Sequence, residues 1–490
     1  MQLSHIPLLF KECRTIVVEA AATDTAAIMT MTTTTPPPRP VQPHALLVST
    51  PFQGHINPLM RLGRRLAAKG VLVTFTTALR AAVRVEEDGD GHERAGFRFE
   101  RLRGGGLWEP EDPRFSDAGD MARHVEAAGP AALKELIRRE AEAGRPVTCV
   151  VTNAFVPWAL RVARDMGLPC GMLWIQSCAL LSVYYHYVHS LAAFPEADDG
   201  ASGRSLLAIP GLPDLAIDDL RPLLIYASDQ DMWREMLFAD LSVIREKVSW
   251  VFVSTFDELE HEAVAALSEH LPVIPVGPLI KPEIGEIDGS SDDDGCIAWL
   301  NAQAPRSVVF AAFGSLVKTD DDETAEIAQG LASTGRPFLW VMRDDNRAVL
   351  FQGTLDGVTA ATLCDRGKVV PWCRQAHVLG HGAIGCFVTH CGWNSTTEAL
   401  AAGVPVVASP RWSDQSINAK FLVDVYRLGV RAPTPVTREA LRLSIEEVMS
   451  GPEAGAMRLR AASWKERARA ALADGGSSDH GVQAFVDQIK

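Results

Sequence analysis

Short apolar runs recur along the chain, each closed by a turn and followed by a segment of helical spacing. The first run is residues 45–50. A turn at 52–55 follows, and Asn57-Pro58 reads as an N-cap with proline at the first helical position. That helix is expected to reach Lys69, where Gly70 stops it, and a second apolar run at 71–76 comes at once. Strand, helix and strand in this order imply a parallel sheet with ligands at the carboxyl ends of its strands. Further strands are expected at 148–152, 171–175 and 250–254, with a helix at 257–267. A second series predicts strands at 307–312, 338–342, 367–370, 386–389 and 404–408, and a last helix at 479–489. Between the two series, residues 285–295 hold Gly, Ser and four Asp, the composition of a linker. The expected fold class is therefore α/β, with two doubly wound domains in tandem and a site in the cleft between them.

Composition narrows the function. The 490 residues carry 47 Lys+Arg against 61 Asp+Glu, a formal charge of −14, which argues against a nucleic-acid partner. A small anionic ligand stays possible, since a few local donors suffice to hold one. The nine cysteines are scattered without a CxxC pair and read as reduced thiols of a cytoplasmic protein. Residues 1–43 end in a Thr-rich run followed by Pro36-Pro37-Pro38 and are expected to be a disordered extension. Residues 166–194 lack Asp, Glu, Lys and Arg, but Gly167, Pro169 and Gly171 interrupt them. A helix end, a strand and a buried helix account for them better than a membrane span.

The chemistry concentrates in residues 372–415. A strand ends at Thr389 and a helix opens at Asn394-Ser395, with His390, Gly392 and Trp393 between. A glycine-bearing turn into a helix N-terminus offers backbone N–H groups to an anion of phosphate size, and His390 adds a donor. Glu398 lies one turn on, where a carboxylate can accept two ribose hydroxyls. Trp372 follows the strand at 367–370, and its flat indole can stack on a base. Asp414 and Gln415 supply the groups that sugar hydroxyls need. Other readings compete: Ser395-x-x-Glu398 is also a capping box, and Trp372 and Trp393 could be core. His377 and His381, with His390 and Cys391, raise the question of zinc, but the intervening strand would point the ligands apart and no metal is expected. Neither GxGxxG nor GxxxxGK[ST] occurs.

As an ordered set, the 44 residues 372–415 closely resemble the plant secondary-product glycosyltransferase (PSPG) box, and the resemblance extends over residues 44–490. It implies a GT-B fold of two Rossmann-like domains. Residues 44–280 would bind the acceptor, 281–300 link, 301–474 bind a UDP-sugar, and 475–490 form a helix packing back toward the first domain. By matching position, Trp372 stacks on uracil, and Gln375 and Glu398 bind the ribose. His390, Asn394 and Ser395 hold the diphosphate, with Ser315 of Phe313-Gly314-Ser315 closing over it. Trp393, Asp414 and Gln415 address the sugar, and Cys373 belongs to the same donor set. Gln415 with Trp393 resembles glucose users, whereas galactose users tend to have His at the last position. Phe52, Gln53 and Gln176 are expected to line the acceptor pocket. The partners implied are a UDP-sugar and a small-molecule acceptor for a monomer, with no cofactor, nucleic acid or membrane.

His55, in Pro51-Phe-Gln-Gly-His55-Ile-Asn-Pro58, matches the family's general base, which takes a proton from the acceptor as it attacks and inverts the anomeric carbon. Taken by position alone, a loop histidine could equally just hydrogen-bond a helix end. In most relatives an Asp follows the strand matching 148–152 and steadies that histidine's cation. Here the position is Asn153, which could hold the ring but not offset its charge. A weaker base suits a carboxylic acid acceptor, ionised already above a pKa near ~4. Asn153 with Phe155 and Pro157-Trp158, residues 172–178, Tyr184-Tyr-His-Tyr187 and residues 418–426 look like the group that forms glucose esters of hydroxycinnamates, gallate-type acids and auxin-type acids. The expected reaction is transfer of glucose from UDP-glucose to a carboxylate, giving a 1-O-β-D-glucose ester. Two alternatives stay open: O-glucosylation of a phenolic hydroxyl, and a non-catalytic UDP-sugar-binding protein. A membrane-bound glucuronosyl or lipid transferase is not expected, because no apolar carboxyl-terminal span precedes Lys490.

Overall fold

A computed structural model describes residues 42–78, 96–105, 107, 118–194, 206–216, 218–220, 231–280, 295–314, 320–342 and 365–490. The first sheet holds β1 (His44–Ser49), β2 (Leu72–Thr77), β3 (Phe97–Phe99), β4 (Cys149–Asn153) and β5 (Cys170–Trp174). A two-stranded pair, β6 (Leu206–Leu207) with β7 (Leu215–Ala216), lies outside it; β8 (Trp250–Val253) and β9 (Val273–Pro275) complete it. Its order is β3-β2-β1-β4-β5-β8-β9, all parallel. The second sheet holds β10 (Val308–Ala312), β11 (Phe338–Val341), β12 (Gly367–Val370), β13 (Ile384–Thr389), β14 (Val406–Ala408) and β15 (Gly429–Arg431). It runs β12-β11-β10-β13-β14-β15, again all parallel. β1, β4, β8 and β10 are buried at every position, as strands covered on both faces must be.

In each sheet the strand order reverses beside the first strand, between β1 and β4 and between β10 and β13. Those reversals open crevices at the carboxyl ends of the four strands. Asn153 ends β4, and His55, Gly314 and His390 follow β1, β10 and β13 closely.

The helices that bear on the site are α1 (Gln53–Ala68), α2 (Ala118–Glu142), α3 (Pro157–Asp165), α4 (Cys178–Val188), α5 (Asp231–Lys247) and α6 (Asp257–Ser268) in the first half. The second half contributes α7 (Gln375–Gly380), α8 (Trp393–Ala402), α9 (Gln415–Lys420) and α10 (Ser477–Ile489). The uncharged segment 166–194 resolves into the end of α3, then β5 and then the buried α4. No helix among the described residues is long and apolar enough to cross a membrane. Helix α10 crosses back to the first sheet: Phe485 packs edge-on against Trp250 and Phe252, and the Trp250 indole N–H donates to Gln488 (2.6 Å). Residues Gln42–Lys490 form one compact unit.

One expectation is corrected at the first helix. α1 begins at Gln53, so His55 stands in its first turn, and Pro58 lies inside the helix rather than at its start. Proline has no N–H to return to the carbonyl four residues back. That carbonyl, Gly54 O, instead accepts the side-chain amide of Asn394 from the second half (3.3 Å). The proline thus frees an acceptor at the place where the halves meet.

Candidate active site

On the second half, α8 starts from Gly392 as N-cap, with no side-chain cap. The capping-box reading of Ser395 and Glu398 therefore fails, because both lie inside the helix. Their side chains are tied to one neighbour instead: Gln375 donates its amide to Ser395 Oγ (2.9 Å) and to Glu398 Oε2 (2.8 Å). Arg61 of α1 stands 3.8 Å from the other Glu398 oxygen. Trp372 is 42% exposed, while Cys373 beside it is buried.

His390 lies against two glycines. A Cβ built on Gly314 would come within 2.8 Å of its Nε2, and one on Gly392 within 2.6 Å. Only glycine at these positions leaves room for the ring. Burial pushes the His390 pKa down to about 4, so the imidazole is neutral and keeps one N–H to donate; its Nδ1 is enclosed without a partner. The first turn of α8 leaves backbone N–H groups of Asn394 and Ser395 without intrahelical acceptors.

Asp414 is buried, and burial raises its pKa to about 6. It accepts a hydrogen bond from Asn418 Nδ2 (2.7 Å), and the Trp393 backbone and the Gln176 side chain of the first half are near enough to pull its pKa back down in part. Gln176, expected in the acceptor pocket, thus reaches the pair expected at the sugar. Gln415 accepts the N–H groups of Arg411 (2.8 Å) and Trp412 (3.3 Å). Trp393 differs from expectation: its indole is buried and donates to the carbonyl of Ser254 (2.8 Å), so its ring joins the two halves.

On the first half, the His55 ring has Phe52 and Phe155 as aromatic neighbours, with centroids 6.1 and 5.7 Å away. Its Nδ1 is enclosed and has no hydrogen-bond partner. Burial pushes its pKa down to about 4, rather than leaving it near neutrality. Asn153 does not hold the ring. Its Oδ1 accepts from Thr50 N and Thr50 Oγ1 (both 2.9 Å), and its amide donates to Ser49 Oγ (2.9 Å) and to the His55 carbonyl (3.2 Å). The residue braces the backbone around His55 and leaves the imidazole alone. Ser315 and the side chain of Gln53 lie outside the described residues, as do residues 1–41 and 281–294 of the expected extension and linker.

A family model described as "UDP-glucoronosyl and UDP-glucosyl transferase" matches residues 229–466. The chain is 40% identical over 468 residues to Gallate 1-beta-glucosyltransferase 84A24 of Punica granatum, covering 91% of this chain and 89% of that protein. It is 39% identical over 473 residues to Cinnamate beta-D-glucosyltransferase of Fragaria ananassa, covering 91% and 82%. The crystal structure of Os79 from O. sativa in complex with UDP matches with a TM-score of 0.78 at 29% identity, covering 91% of this chain and 100% of that one. The chain belongs to the UDP-glucoronosyl and UDP-glucosyl transferase family.

The GT-B architecture of this transferase family accounts for the two parallel sheets and the facing crevices. Three features of the site went unread in the sequence. Phe155 takes a left-handed backbone (φ 68°) to lay its ring on His55, Arg61 crosses to Glu398, and Ser254 receives the Trp393 indole. Only Phe155 left a trace, in its place two residues past Asn153. Among the described residues no three His, Cys, Asp or Glu side chains converge to hold a metal ion.

Proposed function

We propose that the enzyme moves glucose from UDP-glucose to the carboxylate of a small aromatic acid, with inversion, forming a 1-O-β-D-glucose ester. The observation that carries this is the state of His55: unpartnered at Nδ1, pushed down to about 4, with Asn153 committed elsewhere. Such a base matches an acceptor of pKa near ~4, which needs little help to ionise, and not a phenol near ~10. Relatives named for gallate and cinnamate support the same class of acceptor.

In this reading Trp372 carries the uracil, and Gln375 with Glu398 takes the ribose. His390, Asn394, Ser395 and Ser315 receive the diphosphate. Asp414 and Gln415 hold the sugar hydroxyls, with Trp393 fixing their surroundings through Ser254, and Cys373 packs beneath. Phe52, Gln53 and Gln176 face the acceptor, across the boundary between an acceptor-binding domain to residue 280 and a donor-binding domain from 301. An acceptor carboxylate oxygen attacks the anomeric carbon from the face opposite the diphosphate. The bond from that carbon to the phosphate oxygen breaks, and UDP leaves with the electron pair. His55 accepts through Nε2 any proton the acid still carries. The reading places a monomer in the cytoplasm, without a cofactor or metal.

The test is turnover of UDP-glucose with a panel of aromatic acids, the products being checked for alkali lability. Labile glucosides lost in His55→Ala support the reading. Alkali-stable products, or turnover that survives His55→Ala, overturn it.

A further inference from the structure

Helix α1, which carries His55, meets helix α8 of the other half along one line. On α8 the line passes through Asn394 and Glu398, four residues apart and so on one face. On α1 it passes through Gly54 and Arg61, seven apart and again on one face. At one end Asn394 Nδ2 donates to the Gly54 carbonyl (3.3 Å), and at the other Arg61 Nη1 stands 3.8 Å from Glu398 Oε1.

The Arg61 guanidinium is fixed from behind. The same Nη1 donates to the carbonyl of Leu279 (2.6 Å), in the segment that follows β9. One turn on, Arg65 donates to the carbonyl of Val276 (2.6 Å) and to Ser478 Oγ of α10 (2.8 Å). Two arginines thus clip residues 276–279 along α1. In front of Arg61, the other Glu398 oxygen, Oε2, accepts the Gln375 amide (2.8 Å). The carboxylate is therefore engaged at both oxygens, by a neutral donor from its own half and by a cation from the other. The side chains of Arg61 and Glu398 are only 15% and 9% exposed, so water and salt screen their attraction less than at an open surface.

From this geometry we infer that Arg61 is a positioning residue for the donor: reaching over from the acceptor half, it sets the Glu398 carboxylate at the angle that two ribose hydroxyls need. The inference rests on the reading of Glu398 as the ribose acceptor. An ionised carboxylate has about four lone-pair sites, so hydroxyls can be taken up beside Gln375 and Arg61. Released at Oε1, the carboxylate is free to turn about its last side-chain bond and loses that angle. The loss falls on the hydroxyls and not on the base or the diphosphate, which this reading assigns to other residues.

The experiment measures by calorimetry, on the full chain, the affinities for UDP and for 2′,3′-dideoxy-UDP, which lacks both hydroxyls. Their ratio is the ribose preference. Both ligands meet the same protein, so a general loosening weakens them together and leaves the ratio unchanged. Arg61→Met is expected to cut the preference about fivefold by weakening UDP alone, the upper range for a partly exposed ion pair. Arg61→Lys keeps one charged nitrogen for the two contacts that Nη1 makes, and is expected to recover most of that loss. Glu398→Ala should lose more than Arg61→Met, and the double variant Arg61→Met/Glu398→Ala no more than Glu398→Ala, because Arg61 acts through Glu398. Native preference in Arg61→Met, equal weakening of both nucleotides, an Arg61→Lys no better than Arg61→Met, or additive losses in the double variant overturn the inference while Glu398→Ala still loses preference. A full preference in Glu398→Ala would instead remove the reading beneath it.

Discussion

Replacing Asn153 by Asp gives the base the neighbour it lacks. The side chain now accepts two bonds from Thr50 and donates two, to Ser49 Oγ and to the His55 carbonyl. A carboxylate keeps the first pair and cannot make the second. Ser49, which now donates to the Thr50 carbonyl (2.9 Å), can turn its hydroxyl inward, but the His55 carbonyl is left facing an anion. The stability cost is about 1–3 kcal/mol. Against it stands an electrostatic gain, since a negative charge within ~4–6 Å of an imidazole raises its pKa by roughly 1–3 units. Starting from about 4, His55 moves into the range of ordinary histidines. With proton transfer about half advanced in the transition state, each unit speeds an acceptor that must lose a proton by about threefold. A phenol therefore gains about 3–30-fold, while an acid already ionised at neutral pH gains nothing. The assay is a competition between a matched aromatic acid and phenol, read as the ratio of their kcat/KM values. An unchanged ratio in folded Asn153→Asp protein would refute the reasoning about base strength.

Trp372→Ala removes the exposed indole, and loss of a base-stacking platform of about 1–3 kcal/mol predicts UDP binding weaker by roughly 10–100-fold in calorimetry. Gly392→Ala drives a methyl to within 2.6 Å of His390 Nε2, so KM for UDP-glucose should rise about tenfold or more with kcat less affected, read by steady-state kinetics. Asp414, raised to about 6, takes up its proton as the pH falls through that value, so KM for UDP-glucose should climb below about pH 6 while UDP affinity holds. His55 and His390, depressed to about 4, act on stability in the opposite sense. Their contribution is complete above 6.5 and is lost as pH falls toward 4, so thermal scans should show progressive destabilisation between those values.

The sheets were legible because parallel strands buried on both faces write themselves as continuous apolar runs; β1 and β10 differ from expectation by one residue. Residues 372–415 were legible as an ordered set, since a turn, a helix start and an exposed indole need particular residue types at fixed spacing. Helix α1 was misread because Pro58 is an honest N1 signal locally, and only the Asn394 amide, more than three hundred residues away, explains its tolerance inside the helix. The hydrogen-bond partners of Asn153 and Trp393, Thr50 and Ser254, are tertiary facts that no local pattern carries.

The most direct measurement uses an aromatic acid that also bears a phenolic hydroxyl, incubated with the enzyme and UDP-glucose. The product is examined by long-range proton–carbon NMR. Correlation of a β-configured anomeric proton with the carboxyl carbon is the expected result. Correlation with the ring carbon of the phenol, as the main product, would contradict a weak-base site built for acids.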